Sequence, residues 1–108
     1  MKLTHKIGIY VPSTVDINTK TDNTAKVRET LAFLSGLFGG ATAQKSSGAW
    51  VSDSAGLVLE DVTICFAFCT LAKRFKYARV VKEYAKALRD EMRQDAISLE
   101  IDNTLQFV

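Results

Sequence analysis

The sequence predicts a single α+β domain over residues 1–108, of βαββαβ order: a ferredoxin-like (split βαβ) sandwich in which a four-stranded antiparallel sheet carries both helices on one face. Two observations lead there. Short β-rich runs bounded by turn residues occur at "HKIGIYVPS", "ATAQKSSGAWVSD", "LVLEDVTICFAFCTL" and "AISLEID". Two stripes of apolar residues with helical spacing separate the first run from the second and the third from the fourth.

The first strand starts near Lys6 and ends at Pro12, which removes a backbone donor. The polar stretch "STVDINTKTDN" follows. Its hydroxyl, amide and carboxylate side chains compete for their own backbone, so it reads as a loop of roughly ten residues. Asp22 or Asn23 then caps a helix over 24–38, with Val27, Leu31, Leu34 and Phe38 on one face and Leu37 widening it. Gly39-Gly40 stops this helix, because its end requires a left-handed residue.

The second strand follows the glycines and is expected to bulge at Gly48 before the turn "SDSAG". The third has Val58, Val62, Ile64, Phe66 and Phe68 on one face and Leu57, Leu59, Cys65 and Ala67 on the other. A strand apolar on both faces is normally covered twice. The second helix is expected from Lys76 to Asp95, with Ala78, Val81, Ala85, Leu88 and Met92 on its inner face. "AISLEID" is the last strand, and "NTLQFV" either extends it or returns as a hairpin over Asp102-Asn103.

Apolar residues at 47% and charged residues at 24% are those of an ordinary globular chain, and a net charge of +2 does not by itself imply a polyanion partner. The amino-terminal apolar run is too short and too interrupted for a signal peptide or a membrane span, so a cytoplasmic location, bacterial or host, is expected and no membrane partner. Cys65 and Cys69 lack the CxxC spacing of zinc or redox sites. In a strand they point to the same side about 13 Å apart, as core residues rather than a disulfide.

The stretch "LFGGATAQKSSGAW" raises the question of a phosphate loop. Such a loop needs its glycines before a helix, where unpaired N–H groups and the positive dipole end face the anion. Here they follow one. The first helix begins instead beside the 13–24 loop, where Ser13, Thr14, Asn18, Thr19, Lys20, Thr21, Asn23 and Thr24 offer donors to a small anion while Asp16 and Asp22 oppose it. Trp50 reads equally as an exposed anchor or a core residue. Eight basic residues, Lys73, Arg74, Lys76, Arg79, Lys82, Lys86, Arg89 and Arg93, face three acids between positions 73 and 93, an excess of five. A solvated helix face is the commoner meaning of such a run, and phosphate docking the sharper one. The single histidine, His5, assembles no catalytic triad or metal site, and no cofactor is implied.

"VPST", "FGGATAQKSSGAWVSDSAGLVLEDV" and "DAISLEID" together resemble small uncharacterised proteins of bacterial mobile elements, phages and plasmids among them. In that group a helix ends in an FGGAT-like motif, a Gly-x-Trp follows, and a Glu-bearing strand comes next. The matching residues here are Phe38, Gly39, Gly40, Ala41, Thr42, Gly48, Trp50 and Glu60. The resemblance implies the same small α/β fold and an accessory role, with no activity to carry over.

The leading functional expectation is a non-enzymatic binding module, a counter-defence protein that captures a host defence protein or its nucleotide signal through the sheet face, the loops and Trp50. The second is a nucleic-acid-binding accessory factor using the basic second helix and the sheet face. It is weakened because Phe66 and Phe68 lie in a run too apolar to read as exposed. An enzyme built on Glu60, Trp50 and loop hydroxyls ranks third. The open sheet face predicts a homo-oligomer, a dimer through that face.

Overall fold

The computed structural model describes residues 1–16 and 19–108. Along the chain lie β1 (His5–Pro12), β2 (Thr14–Val15), β3 (Thr19–Lys20), α1 (Thr24–Phe38), β4 (Thr42–Ser52), β5 (Gly56–Cys69), α2 (Leu71–Glu91), β6 (Ser98–Ile101) and β7 (Thr104–Phe107). The fold is a mixed α+β domain. Its main sheet has five strands rather than four, in the order β4-β5-β1-β6-β7, every neighbouring pair antiparallel. The fifth strand exists because the chain turns back over Asp102-Asn103, with Asp102 at φ 54°, instead of extending β6. The 13–24 loop folds in part into the small ribbon β2-β3.

Alternation decides the core. Ile7, Ile9 and Val11 of β1, Cys65, Ala67 and Cys69 of β5, and Leu99 and Ile101 of β6 are buried on the helix side, beneath Leu34, Phe38, Val81, Ala85, Leu88 and Met92. Both cysteines are free and buried, and burial pushes the Cys65 thiol up to about 11. The helices are locked together by Phe33 stacked on Tyr84 at 4.1 Å and by the buried Thr30 hydroxyl, which donates to Lys26 O at 2.8 Å and lies 3.0 Å from Tyr84 Oη. Lys26 also pairs with Glu91 at the end of α2.

α1 spans the expected residues and ends on Gly39, at φ 88°, whose N–H donates to Ser35 O. Asn23 precedes it but makes no capping bond; the Thr24 N–H is taken by Asp22 Oδ1 at 3.0 Å. α2 departs from expectation at both ends, running from Leu71 to Glu91 instead of 76–95. Thr70 caps it, its side chain accepting from Lys73 N, so the helix starts as soon as β5 leaves the sheet.

No bulge occurs at Gly48. The β4–β5 register runs unbroken from Thr42↔Phe66 to Ser52↔Gly56, with Gly48 opposite Glu60. The hairpin outgrows β1, whose last partner pair is Pro12↔Val62, so residues 47–61 form an arm beyond the sheet. It accounts for the long axis of 47 Å against 26 and 21 Å. Neither helix packs on the second face of β5. Ile64 and Phe66 are half-buried there and Phe68 is 49% exposed, which corrects the expectation that this aromatic run is buried. No helix is long and apolar enough to cross a membrane among the described residues.

Candidate functional site

On the uncovered face, even-numbered residues of β4, β5 and β1 point outward, because the side chains of a strand alternate. The register therefore sets Trp50 and Glu60 on one side of a hollow of about 560 Å³, Tyr10 and Ile64 on its floor, and Leu105 and Phe107 of β7 on its far side. A mostly apolar hollow with a few polar groups is the usual form of a small-molecule site. Trp50 is 47% exposed and Phe107 75% exposed, so of the two readings of Trp50 the exposed one holds.

Tyr10 donates its hydroxyl to Glu100 Oε1 at 3.0 Å. Burial, then this hydrogen bond and the Glu100 charge, raise the Tyr10 phenol above its ordinary value. Glu100 is in turn 3.5 Å from Lys6 Nζ. Glu60 is exposed and has no hydrogen bond or ion pair among the described residues. Its neighbour Asp61 points to the opposite side, as adjacent strand residues must, and accepts from Ser47 Oγ at 3.3 Å. Gln94 closes one end, donating to Thr14 O at 2.9 Å and so tying the chain after α2 to β2.

The other sequence-selected residues divide. Ser13, Thr14 and Lys20 line a second depression of about 420 Å³ that also reaches Glu60, which thus stands between two concavities. Among the described residues of this loop, several polar groups are already engaged. Ser13 Oγ is spent on Asp61 O at 2.6 Å, and Asn23 Nδ2 on Pro12 O at 3.1 Å. Asp22, its carboxyl lowered by hydrogen bonds from Thr24, already occupies the start of α1. Asn18 lies outside the described residues. Thr42, eight residues from Trp50 along β4 and so about 26 Å away, belongs to the opposite end of the sheet. Gly39 and Gly40 end a helix, as their place after it demands.

The basic residues of α2 do not join the hollow, since α2 packs on the other face of the sheet. Arg89 pairs with Asp90 at 3.0 Å, Arg93 with Asp16 at 2.7 Å and Lys86 with Glu83 at 3.5 Å. Lys76 Nζ lies 5.3 Å from the centre of the Tyr77 ring, and Arg79 and Lys82 have no ion pair among the described residues. No group of three metal-ligating side chains occurs among the described residues.

Tyr10, Glu100, Leu105 and Phe107 are the site residues that sequence reasoning passed over. Tyr10 was legible in principle, since it shares parity with Lys6 and Gly8 on the first strand. Leu105 and Phe107 required the hairpin at Asp102 to be placed first.

The sequence matches no family model and no curated protein. Two solved structures are similar in fold. One is a phage SAM lyase in complex with S-methyl-5′-thioadenosine, with a TM-score of 0.69, 17% identity, and coverage of 96% of this chain and 88% of that one. The other is a phage SAM lyase in the apo state, at 0.68, 20%, 94% and 83%. The likeness extends over nearly the whole chain and is one of fold.

Proposed function

We propose that the hollow binds an adenosyl sulfonium and that this chain is a phage or mobile-element protein that cleaves S-adenosylmethionine. The observation that carries the reading is the pairing of aromatic side chains, Trp50 and Tyr10, with an unpartnered carboxylate, Glu60, in one hollow. A sulfonium is a permanent cation: ring faces attract it, and a nearby carboxylate adds charge complementarity. The fold shared with a SAM lyase that holds S-methyl-5′-thioadenosine supports the same ligand class.

Cleavage between sulfur and the amino-acid chain leaves the bonding pair on sulfur, so the adenosyl product is neutral S-methyl-5′-thioadenosine. The four-carbon fragment balances either by bonding its own carboxylate to the departing carbon or by losing a proton to Glu60. Glu60→Gln separates the two: the first route survives it in part and the second does not.

The same reading keeps the counter-defence role expected from the mobile-element resemblance, because removing a methyl donor disarms methyl-dependent host systems. It also favours the ferredoxin-like description, since β4, β5, β1 and β6 fall in the order of a split βαβ sheet with β7 appended. A second copy seated on the open face covers Trp50, Leu105 and Phe107 and closes the hollow. Phe107→Glu is expected to shift the native mass to monomer.

The decisive experiment incubates the protein with S-adenosylmethionine and follows S-methyl-5′-thioadenosine by chromatography. Release that falls at least tenfold in Trp50→Ala supports the lyase. Binding without release supports a capture module instead, and neither binding nor release rejects the assignment of the hollow.

A further inference from the structure

The opposite end of the open face carries a second group of aromatic and apolar side chains, Phe68 and Leu3 exposed and Phe66 half-buried. Phe66 and Phe68 stand edge to face with centroids 5.9 Å apart, and Lys6 Nζ, from the adjoining strand, lies 4.6 Å from the Phe66 centroid. Gly8 eases this arrangement, since a Cβ there would lie 3.3 Å from Phe66 Cβ, a tight contact. Beside the pair is a depression of about 480 Å³, walled by Leu3, Phe38, Thr42, Phe66 and Phe68 and bounded by the glycine turn after α1. It is large enough for a flat ring. The Thr42 hydroxyl lies at its edge, able both to donate and to accept.

The charge on the first half of α2 is of one sign. α2 begins two residues after β5, and between Leu71 and Lys82 it has five basic residues, Lys73, Arg74, Lys76, Arg79 and Lys82, and no acid. That runs against the helix dipole, whose positive end is there, and so costs stability that a bound polyanion would return. Phe75, on the same turns, is 70% exposed. The acids of this end are already engaged: Glu100 with Tyr10 and Lys6, Asp102 with His5 and Arg74.

We propose that this end binds single-stranded nucleic acid, one unstacked base resting on Phe68 over the depression, with Lys73 and Lys76 taking neighbouring phosphates. An exposed aromatic set among cations is the recurring platform for unpaired bases, whereas a base inside a duplex cannot reach a phenyl ring. The exposure of Phe68 restores the nucleic-acid reading that the apolar run had weakened, and narrows it to the start of α2 and one end of the sheet face. It is separate from the hollow, to which it is joined only through the Lys6–Glu100–Tyr10 contacts.

The test is fluorescence anisotropy with a labelled 12-nucleotide oligothymidylate at 20 to 200 mM salt. Binding is expected at low salt, with log K falling against log salt by about 0.7 for each phosphate contacted. Phe68→Ala should weaken it by about fivefold or more and Phe68→Tyr should restore it. Lys73→Gln with Lys76→Gln should lower the salt slope by about 1.4. Thermal melting verifies that each variant folds, and Phe68→Ala leaves thioadenosine binding and release unchanged. The proposal is overturned by no binding at 20 mM salt, by equal affinity for a duplex of the same length, or by indifference to Phe68→Ala. It is equally overturned if S-methyl-5′-thioadenosine displaces the oligonucleotide, which would place it in the hollow.

Discussion

Tyr10 Oη lies 3.0 Å from Glu100 Oε1, a diagonal hydrogen bond across the β1–β6 pair that fixes the one ring on the floor of the hollow with a polar tip. Removing the hydroxyl in Tyr10→Phe keeps the ring and leaves Glu100 to Lys6. The expected loss is about 1 kcal/mol of stability, the usual net worth of such a bond. Alkaline titration gives the sign. Burial first, then the bond and the Glu100 charge, raise the folded phenol, so the contribution of the neutral ring is complete below the unfolded value of 10.0 and is lost as pH rises through the folded value. Equilibrium unfolding of wild type and Tyr10→Phe should therefore converge above pH 10, and curves that stay parallel there would refute the linkage.

Thr70 is a helix cap that the sequence hides. Standing directly after the apolar "TICFAFC", it reads as the tail of a strand, yet its side chain accepts from Lys73 N and starts α2. Thr70→Ala is expected to cost about 1 kcal/mol, read as a fall in Tm of about 4–8 °C for a domain near this size. Thr70→Ser should recover most of it. An unchanged Tm in Thr70→Ala would mean the cap is idle.

Much of the fold is legible for plain reasons. α1 shows both of its signals, an apolar stripe and a glycine at its left-handed end, and β5 is a long run rich in β-branched and aromatic residues. What escapes depends on tertiary partners. The arm at 47–61 looks like any hairpin until β1 is known to stop at Pro12. Phe66 and Phe68 read as core because an apolar run carries no mark of which face its own chain will cover. Trp50 and Glu60 were identifiable singly, but their common hollow with Phe107 depends on strands that meet only in the folded sheet.

Asp102 joins the β6–β7 turn to the start of β1. It accepts from His5 Nδ1 at 3.1 Å and from the Lys6 N–H at 3.0 Å, and Arg74 Nε lies 2.9 Å away. These hydrogen bonds, His5 first, with added charge from His5 and Arg74, lower its carboxyl below the ordinary 3.8. A lowered carboxyl contributes stability above the unfolded value, and that contribution disappears as pH falls through the folded one. The contribution of Asp102 should thus be kept above the ordinary 3.8 in wild type and lost at lower pH. Asp102→Asn should be less stable at pH 7 and should lose less on acidification. If both proteins show the same difference at pH 7 and at pH 2, the carboxylate is not the source.

Gly39 and Gly40 are adjacent, and they behave differently. A methyl group at either would meet no atom within 4 Å, so space does not distinguish them; backbone does, because only Gly39 has a positive φ, 88°. Gly39→Ala forces a side chain into the left-handed region and is expected to destabilise by about 1 kcal/mol. Gly40→Ala meets no such strain, and by narrowing the unfolded ensemble it should be neutral or stabilise by up to about 1 kcal/mol. Urea unfolding of the two variants compares them at one sitting. If Gly40→Ala were the damaging change, the helix would end one residue later than Gly39, and the glycine pair would need a role other than stopping α1 and turning the chain into β4.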